Sequence, residues 1–247
     1  MIIIVSSQAK SSEKLSRAAK IVGYQSFEAD HSWKMPDNIK HALGAVYGGD
    51  LFCESVADQM GWALISNPAD WVVKLPKEYI SRNIYAATVK DALEIPKEKK
   101  FFVKSPSKIF KARVCEGGLT FPTTVLNDHP VLISDFMNFT SEYKCFVKDK
   151  KVVSICCYKW LNEFNTSAHY GKNNKEVVAF VNKLLADKRV ECVSATVINV
   201  GKYGKLEDNG GGLAVIDSEP AYMSEIYGCE ISASLDTIMS SCGVKTN

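Results

Sequence analysis

Residues 213–222 read Leu-Ala-Val-Ile-Asp-Ser-Glu-Pro-Ala-Tyr. Leu213 to Ile216 has the apolar run of a buried strand, and Asp217 and Glu219 stand two apart at its end. In extended chain, residues i and i+2 point to the same side. Two carboxylates on one side repel unless protons or a cation intervene. A divalent cation held at the strand end is the economical explanation. A solvent-facing strand end is the plain alternative.

The surrounding charge pattern extends this reading. Residues 206–230 hold six acids (Glu207, Asp208, Asp217, Glu219, Glu225 and Glu230) and no Lys or Arg. Residues 97–113 hold seven basic residues, Lys97, Lys99, Lys100, Lys104, Lys108, Lys111 and Arg113, against one acid, Glu98. Nucleotide chemistry needs both signs: cations for phosphate oxygens, and carboxylates for the Mg²⁺ that bridges them. Charge alone fits two solvated faces as well. Position separates the readings. Lys104 closes the apolar run Phe101-Phe-Val and is followed by Ser105-Pro106, which poises it at a strand end beside a turn.

The rest of the chain sets limits. It has 247 residues with 30 basic and 28 acidic side chains, a formal net charge of +2. That balance gives no global field for nucleic acid, and no apolar run of membrane-spanning length occurs. The opening Met-Ile-Ile-Ile-Val has no basic residue before it and reads as a first strand, not an export signal. Eight cysteines at irregular spacing, without a C-x-x-C pair, read as reduced core thiols of a cytoplasmic protein. The vicinal Cys156 and Cys157 cannot both face one core, because strand neighbours alternate. No His–Cys or His–His zinc spacing and no P-loop motif is present.

Strand and helix signals alternate through the first hundred residues. Residues 2–5 and 45–47 read as strands. A helix starts at a capping serine, Ser11 or Ser12, and carries Leu15, Ala18, Ala19 and Val22 to Gly23. A second helix covers Leu51 to Trp62, and a short one Tyr85 to Leu93. A charge run opens near Ile95-Pro96-Lys97, which sets the expected division into 1–95 and 96–247. Strands then follow at 101–104 and 131–135. A hairpin turns at Asp149-Lys150, a helix spans 174–187, and alternation returns at 193–200. The expected class is therefore a small N-terminal α/β layer followed by an α+β half.

The order of these pieces resembles a known family. Leu75-Pro76 through Arg82, Phe102-Val-Lys-Ser-Pro-Ser-Lys-Ile-Phe, Val131-Leu-Ile-Ser-Asp, Ser141-Glu-Tyr-Lys-Cys-Phe-Val-Lys-Asp-Lys, Tyr158 and Ala214-Val-Ile-Asp-Ser-Glu-Pro-Ala-Tyr follow the order of pieces in the ATP-grasp superfamily. The chain is similar in particular to the divergent clade around the eukaryotic cell-division-cycle protein that assembles a translation initiation factor, with its bacterial and phage relatives. The resemblance covers residues 70–230. It implies an ATP-grasp nucleotide-binding domain that uses ATP and Mg²⁺ to join a carboxylate to an amine through an acyl phosphate. The substrate would be a small molecule, peptide or protein. An ATP-binding assembly factor with little turnover, or a phosphotransferase, is the alternative.

Residue by residue, the resemblance implies that Lys104 and Lys108 face phosphate. Ser134, Asp135 and Phe136 would form the linker that meets adenine through its backbone. Glu142 and Lys144 match a Glu-x-Arg pair whose basic member faces the γ-phosphate. Asp217 and Glu219 match the acid-x-Asn pair that holds Mg²⁺, and Arg82 points towards the reacting end. Three departures stand out. Lys144 replaces an arginine, Glu219 replaces an asparagine, and Val193-Ser-Ala-Thr-Val lacks an aspartate that relatives carry, with Ala195 the nearest place for it. Trp160 to Tyr170 reads as a loop with interleaved aromatics, Gly117-Gly118 as a hairpin turn or flap, and Tyr222 and Tyr227 as candidates for an acceptor pocket.

Overall fold

The computed structural model describes residues 1–107, 109–116, 118, 121, 124–161, 163–164, 174–204 and 211–244. Lys108, Gly117, Glu207, Asp208 and most of the 160–170 aromatic segment lie outside the described residues. In chain order the elements begin with β1 (Ile2–Ser6), α1 (Ser12–Ile21), β2 (Gln25–Ala29), β3 (Gly44–Tyr47), α2 (Asp50–Met60) and β4 (Trp62–Leu64). Next come α3 (Lys77–Ile80), β5 (Ile84–Thr88), α4 (Val89–Leu93), β6 (Phe101–Lys104), β7 (Arg113–Cys115) and β8 (Pro130–Asp135). The last are β9 (Phe139–Lys148), β10 (Lys151–Trp160), β11 (Glu163–Phe164), α5 (Asn174–Ala186), β12 (Ala195–Tyr203), β13 (Leu213–Glu219), α6 (Ile231–Ser240) and β14 (Cys242–Val244). The mixed α/β class read from the sequence holds.

Contacts divide the chain into two compact units. The first comprises Met1–Asn67, Ser141–Val200 and Asp217–Asn247; the second comprises Pro68–Thr140 and Gly201–Ile216. The expected division near Ile95 falls inside the second unit, in the loop between α4 and β6.

In the first unit β1 is central in a parallel sheet of order β2-β1-β3. Its five residues are all buried, as a continuous β-branched run in a parallel sheet requires. On α1, Leu15, Ala18 and Ala19 face the core, whereas Val22 is exposed past the helix end. The serine caps behave differently from expectation: Ser11 caps nothing and donates its Oγ hydrogen to Glu225, while Ser12 Oγ donates to the Ser6 carbonyl. Partners outside the helix have taken both hydroxyls.

A five-stranded sheet runs in the order β11-β10-β9-β12-β13. The β9–β10 hairpin turns through Asp149 and Lys150, with φ of 48° and 60°. Two left-handed residues make a turn whose twist suits the flanking strands. The stripe Val177, Val181, Leu184 and Leu185 of α5 is buried. Cys156 and Cys157 do alternate in direction, yet both are buried. Cys156 joins Phe146, Ile226 and Leu235 in the main core, and α5 packs against β10 as well. At 156 and 157 the strand is covered on both faces, so alternation exposes neither thiol. All eight cysteines are free.

Helix α6 starts at Glu230, whose carboxylate accepts from the backbone N–H groups of Ser232 and Ala233 at 2.9 and 2.6 Å. These bonds lower the Glu230 pKa below its ordinary 4.5. Its capping contribution is present above that value and is lost as pH falls through the depressed folded-state pKa. Glu230→Ala should cost about 1 kcal/mol in urea melts at neutral pH, with the difference shrinking in acid.

The second unit is built on a sheet of order β5-β8-β6-β7. All three of its pairings are antiparallel. Its core gathers Val89, Ala92, Phe101, Val103, Phe110, Cys115, Val131 and Ile133. The helix expected over Tyr85–Leu93 is half strand: Ile84–Thr88 pairs with β8, and helix begins only at Val89. A reciprocal capping box between Thr88 and Asp91 marks the change. Pairing with β8 outweighs the helical preference of Ala86-Ala87.

Among the described residues no helix is long and apolar enough to cross a membrane.

Candidate functional site

In the first unit, adjacent strands bring together residues far apart in sequence. Lys144 on β9 is almost wholly buried, and its Nζ donates to Glu219 Oε2 at 3.0 Å. Ser224 Oγ donates to the same oxygen at 2.9 Å. Burial works to lower the Lys144 pKa, but the Glu219 carboxylate outweighs it and raises the ammonium above its ordinary value. The rings of Tyr158 and Tyr227 stack 5.3 Å apart, and Lys144 Nζ lies 5.9 and 5.5 Å from their centroids. Tyr227 has a left-handed φ of 50°. A buried cation against two π faces is a favourable arrangement.

Glu142 lies on β9 two residues before Lys144. Its carboxylate accepts from Tyr158 Oη and Lys159 Nζ, each at 2.6 Å. Burial and the neighbouring carboxylate raise the Tyr158 pKa well above its ordinary value, so it remains a hydroxyl donor. Lys159 carries no sequence motif that singles it out. Its position opposite Glu142 follows from the β9–β10 register, which carries a bulge at Cys157–Lys159.

The end of β13 is pinned from one side. Asn67 Nδ2 donates to Ser218 Oγ at 2.8 Å, Asn67 Oδ1 accepts from Val193 N, and Thr196 Oγ1 donates to the Glu219 carbonyl at 3.0 Å. Fixing Ser218 on one face leaves Asp217 and Glu219 together on the other. Asp217 Oδ1 accepts from Asn199 Nδ2 at 2.5 Å. Asn199 is 4% exposed, and its Oδ1 has no hydrogen-bond partner among the described residues.

This corrects the expectation about the preceding strand. The β12 residue facing Asp217 is Asn199, not Ala195. Asp217 therefore meets an amide, Asn199, on β12. Its sequence signal is an amide within the apolar run Val-Ile-Asn-Val, which a buried strand tolerates only with a partner.

The donor set fits Mg²⁺. It consists of hard oxygens, and the orphaned Asn199 amide oxygen lies in the residue bonded to Asp217. Among the described residues no group of three or more His, Cys, Asp or Glu forms a metal cage. Mg²⁺ needs none, since one or two carboxylates complete its shell with water and phosphate.

In the second unit Lys104 ends β6, half-buried and opposite Leu132. Arg82 is buried. Its Nη1 donates to the Ile80 and Val215 carbonyls at 3.0 and 2.9 Å, and Nη2 donates to the Ile216 carbonyl at 3.1 Å. Its guanidinium lies 5.6 Å from the Phe139 ring centroid. That ring fits against β12 because residue 201 is glycine: a Cβ there would come 2.1 Å from Phe139 Cδ1. These bonds hold the two residues before Asp217, so the described contacts of Arg82 serve strand position rather than the reacting end.

Ser134 and Asp135 are not open linker. Ser134 pairs with Ile84 on one side and Phe102 on the other. Asp135 N donates to the Asn83 carbonyl, and its Oδ2 accepts from Asn83 Nδ2 at 2.7 Å. The stretch outside the ladders is 136–138. It begins at Phe136, which is 38% exposed with Lys100 Nζ 4.4 Å from its ring centroid.

A family model of the ATP-grasp domain, the second family of its clade, matches residues 79–237. The chain belongs to this ATP-grasp family. No curated protein matches the sequence. Among solved structures the fold is similar to ATP-grasp ligase PsnB complexed with minimal precursor, at 13% identity and a TM-score of 0.52, covering 97% of this chain and 99% of that one. It is also similar to D-alanine–D-alanine ligase from Bacillus anthracis complexed with ATP, at 12% identity and a TM-score of 0.51, covering 98% and 96%. N5-carboxyaminoimidazole synthetase from Staphylococcus aureus, complexed with ADP, gives 11% identity and a TM-score of 0.56, covering 100% and 78%. These likenesses establish an ATP-grasp fold.

Proposed function

We propose that this ATP-grasp chain is a cytoplasmic ATP- and Mg²⁺-dependent carboxylate–amine ligase. The observation that carries the reading is the pairing of Lys144 with Glu219 beside Asp217, bonded to an Asn199 whose amide oxygen lacks a partner among the described residues. In the proposed reaction a substrate carboxylate oxygen attacks the γ-phosphorus and the bond to ADP breaks. An amine then attacks the acyl carbon, loses a proton, and phosphate leaves. Bound Mg²⁺ would neutralise phosphate oxygens, with Asp217, Glu219 and the Asn199 amide oxygen as its protein ligands.

The chain's own residues position and balance charge. Lys144 supplies a permanent cation for the γ-phosphate, held in place by Glu219, Tyr158 and Tyr227. As a point charge it gives less geometric grip than arginine. Glu142 orients Tyr158 and Lys159. Arg82 fixes the backbone before Asp217. Lys104 and Lys108 are assigned to phosphate, and Phe136, the first residue outside the ladders, to adenine through its backbone. A peptide or protein acceptor is favoured by the PsnB likeness, since that ligase was solved with a peptide precursor.

The deciding experiment is a screen of carboxylates, amines and peptides for Mg²⁺-dependent ADP release. Release coupled to an amide product supports the ligase, and a phosphorylated acceptor indicates phosphotransfer. One observation favours a second reading, an ATP-binding assembly factor like the one in the clade the sequence resembles. Lys144 already neutralises Glu219, which weakens both for catalysis. That reading expects ATP binding without acceptor-dependent release. On either reading Lys104→Ala should weaken ATP binding by about 1.5–3 kcal/mol, the size of a charge-assisted contact, and unchanged affinity in calorimetry would remove Lys104 from the site.

A further inference from the structure

We propose that Cys156 and Cys229 form a covalent modification site, a reversible disulfide beside Lys144. Cys229 Sγ lies 3.0 Å from Cys156 Sγ. The two residues are 73 apart in sequence, so tertiary packing alone brings them together. Both thiols are buried in one core cluster. Cys229 Sγ also lies 3.6 Å from the Lys144 carbonyl oxygen, which puts the pair on the backbone that carries Lys144. Hydrogen bonding from Cys229 lowers the Cys156 pKa against the effect of burial, and the Lys144 ammonium acts in the same direction. That makes Cys156 the sulfur that reacts first.

The oxidant class is a small peroxide. The Cys156 thiolate attacks one peroxide oxygen, the O–O bond breaks, and hydroxide leaves to give a sulfenic acid. The Cys229 sulfur then attacks the sulfenic sulfur, the S–O bond breaks, and water leaves. The net change is two thiols plus hydrogen peroxide to a disulfide plus two waters. A thiol reductant reverses it.

Closure would shorten the sulfur separation from 3.0 Å to about 2.05 Å. Cys156 sits within β10, whereas residues 224–230 contain neither helix nor strand, so the 229 side gives way. Tyr227 is two residues before Cys229 and packs over Lys144. Oxidation therefore displaces the aromatic wall of the Lys144 site and weakens its hold on nucleotide, a consequence that rests on the ligase or ATP-binding reading.

The test uses the full-length chain, reduced and then titrated with hydrogen peroxide. After quenching and alkylation in denaturant, peptides are mapped without reduction. A peptide pair joined through Cys156 and Cys229 as the dominant disulfide is expected, and dithiothreitol should remove it. Cys229→Ser should instead leave Cys156 as a sulfenic acid trappable by dimedone. Cys192 is the half-buried internal control. If Cys192 is oxidised while Cys156 and Cys229 remain alkylatable, the site is overturned. ATP affinity should fall at least threefold on oxidation of the wild type and stay constant in Cys229→Ser. A complete linkage with unchanged affinity overturns the regulatory consequence. The mapping needs no nucleotide, so failure of the ligase reading leaves it decisive.

Discussion

Lys144→Met should lower folding stability by about 3–5 kcal/mol, because it strands the Glu219 carboxylate among buried neighbours. Lys144 is 3% exposed, and the Glu219 side chain is 18% exposed, so the lower half of that range is expected. Removing both charges in Lys144→Met with Glu219→Gln should recover most of the loss, since an absent buried pair costs far less than a broken one. Urea melts of the wild type, the single variants and the double variant measure the coupling. Additive losses would show that the two side chains do not interact. The pH dependence has a definite sign. The folded Lys144 pKa is raised above its ordinary 10.5, so the pair's contribution is intact below that value and is lost as pH rises through the folded pKa. In Lys144→Met this alkaline component should vanish.

Asp217→Asn should reduce Mg²⁺-dependent ADP release by about 10²-fold or more, as the loss of a preorganised electrostatic contact does. The isosteric amide keeps the side chain's shape, so the melting temperature should move little. Asn199→Asp tests the same geometry from the facing strand. It places an acid on the strand where the resembled family carries one, and the Mg²⁺ concentration for half-maximal ATP binding should fall by about tenfold as ligand charge rises. Glu219→Gln should weaken Mg²⁺ binding and also loosen Lys144. If Glu219→Gln matches the wild type in ADP release and ATP affinity, Glu219 holds no Mg²⁺ and serves only to pair Lys144. If Asn199→Asp leaves the Mg²⁺ dependence unchanged, Asn199 is only a partner of Asp217 and not a ligand.

Much of the fold is legible in local pattern. The β-branched run 2–5, the helix over 174–187 and the turn at Asp149-Lys150 each depend on neighbours within a few residues. Burial and turn geometry act at that range. The acid-x-acid at 217 and 219 is visible for the same reason, because strand alternation puts i and i+2 on one face. Tyr85–Leu93 misleads because its helical composition is local while its pairing with β8 is not. Ser11 reads as a cap because no local rule reveals Glu225.

The sequence by itself therefore determined the class, most of the strands and helices, the family resemblance, and the acids at the end of β13. Tertiary structure alone decided the partners. Lys144 meets Glu219 across 75 residues, Glu142 meets Lys159 across 17, and Cys156 meets Cys229 across 73. It also decided that Asn199, not Ala195, faces Asp217. The reason is one of range. Periodicity fixes which way a side chain points along its own strand, but sheet order and register fix what it meets. Register depends on the simultaneous packing of every strand in the sheet.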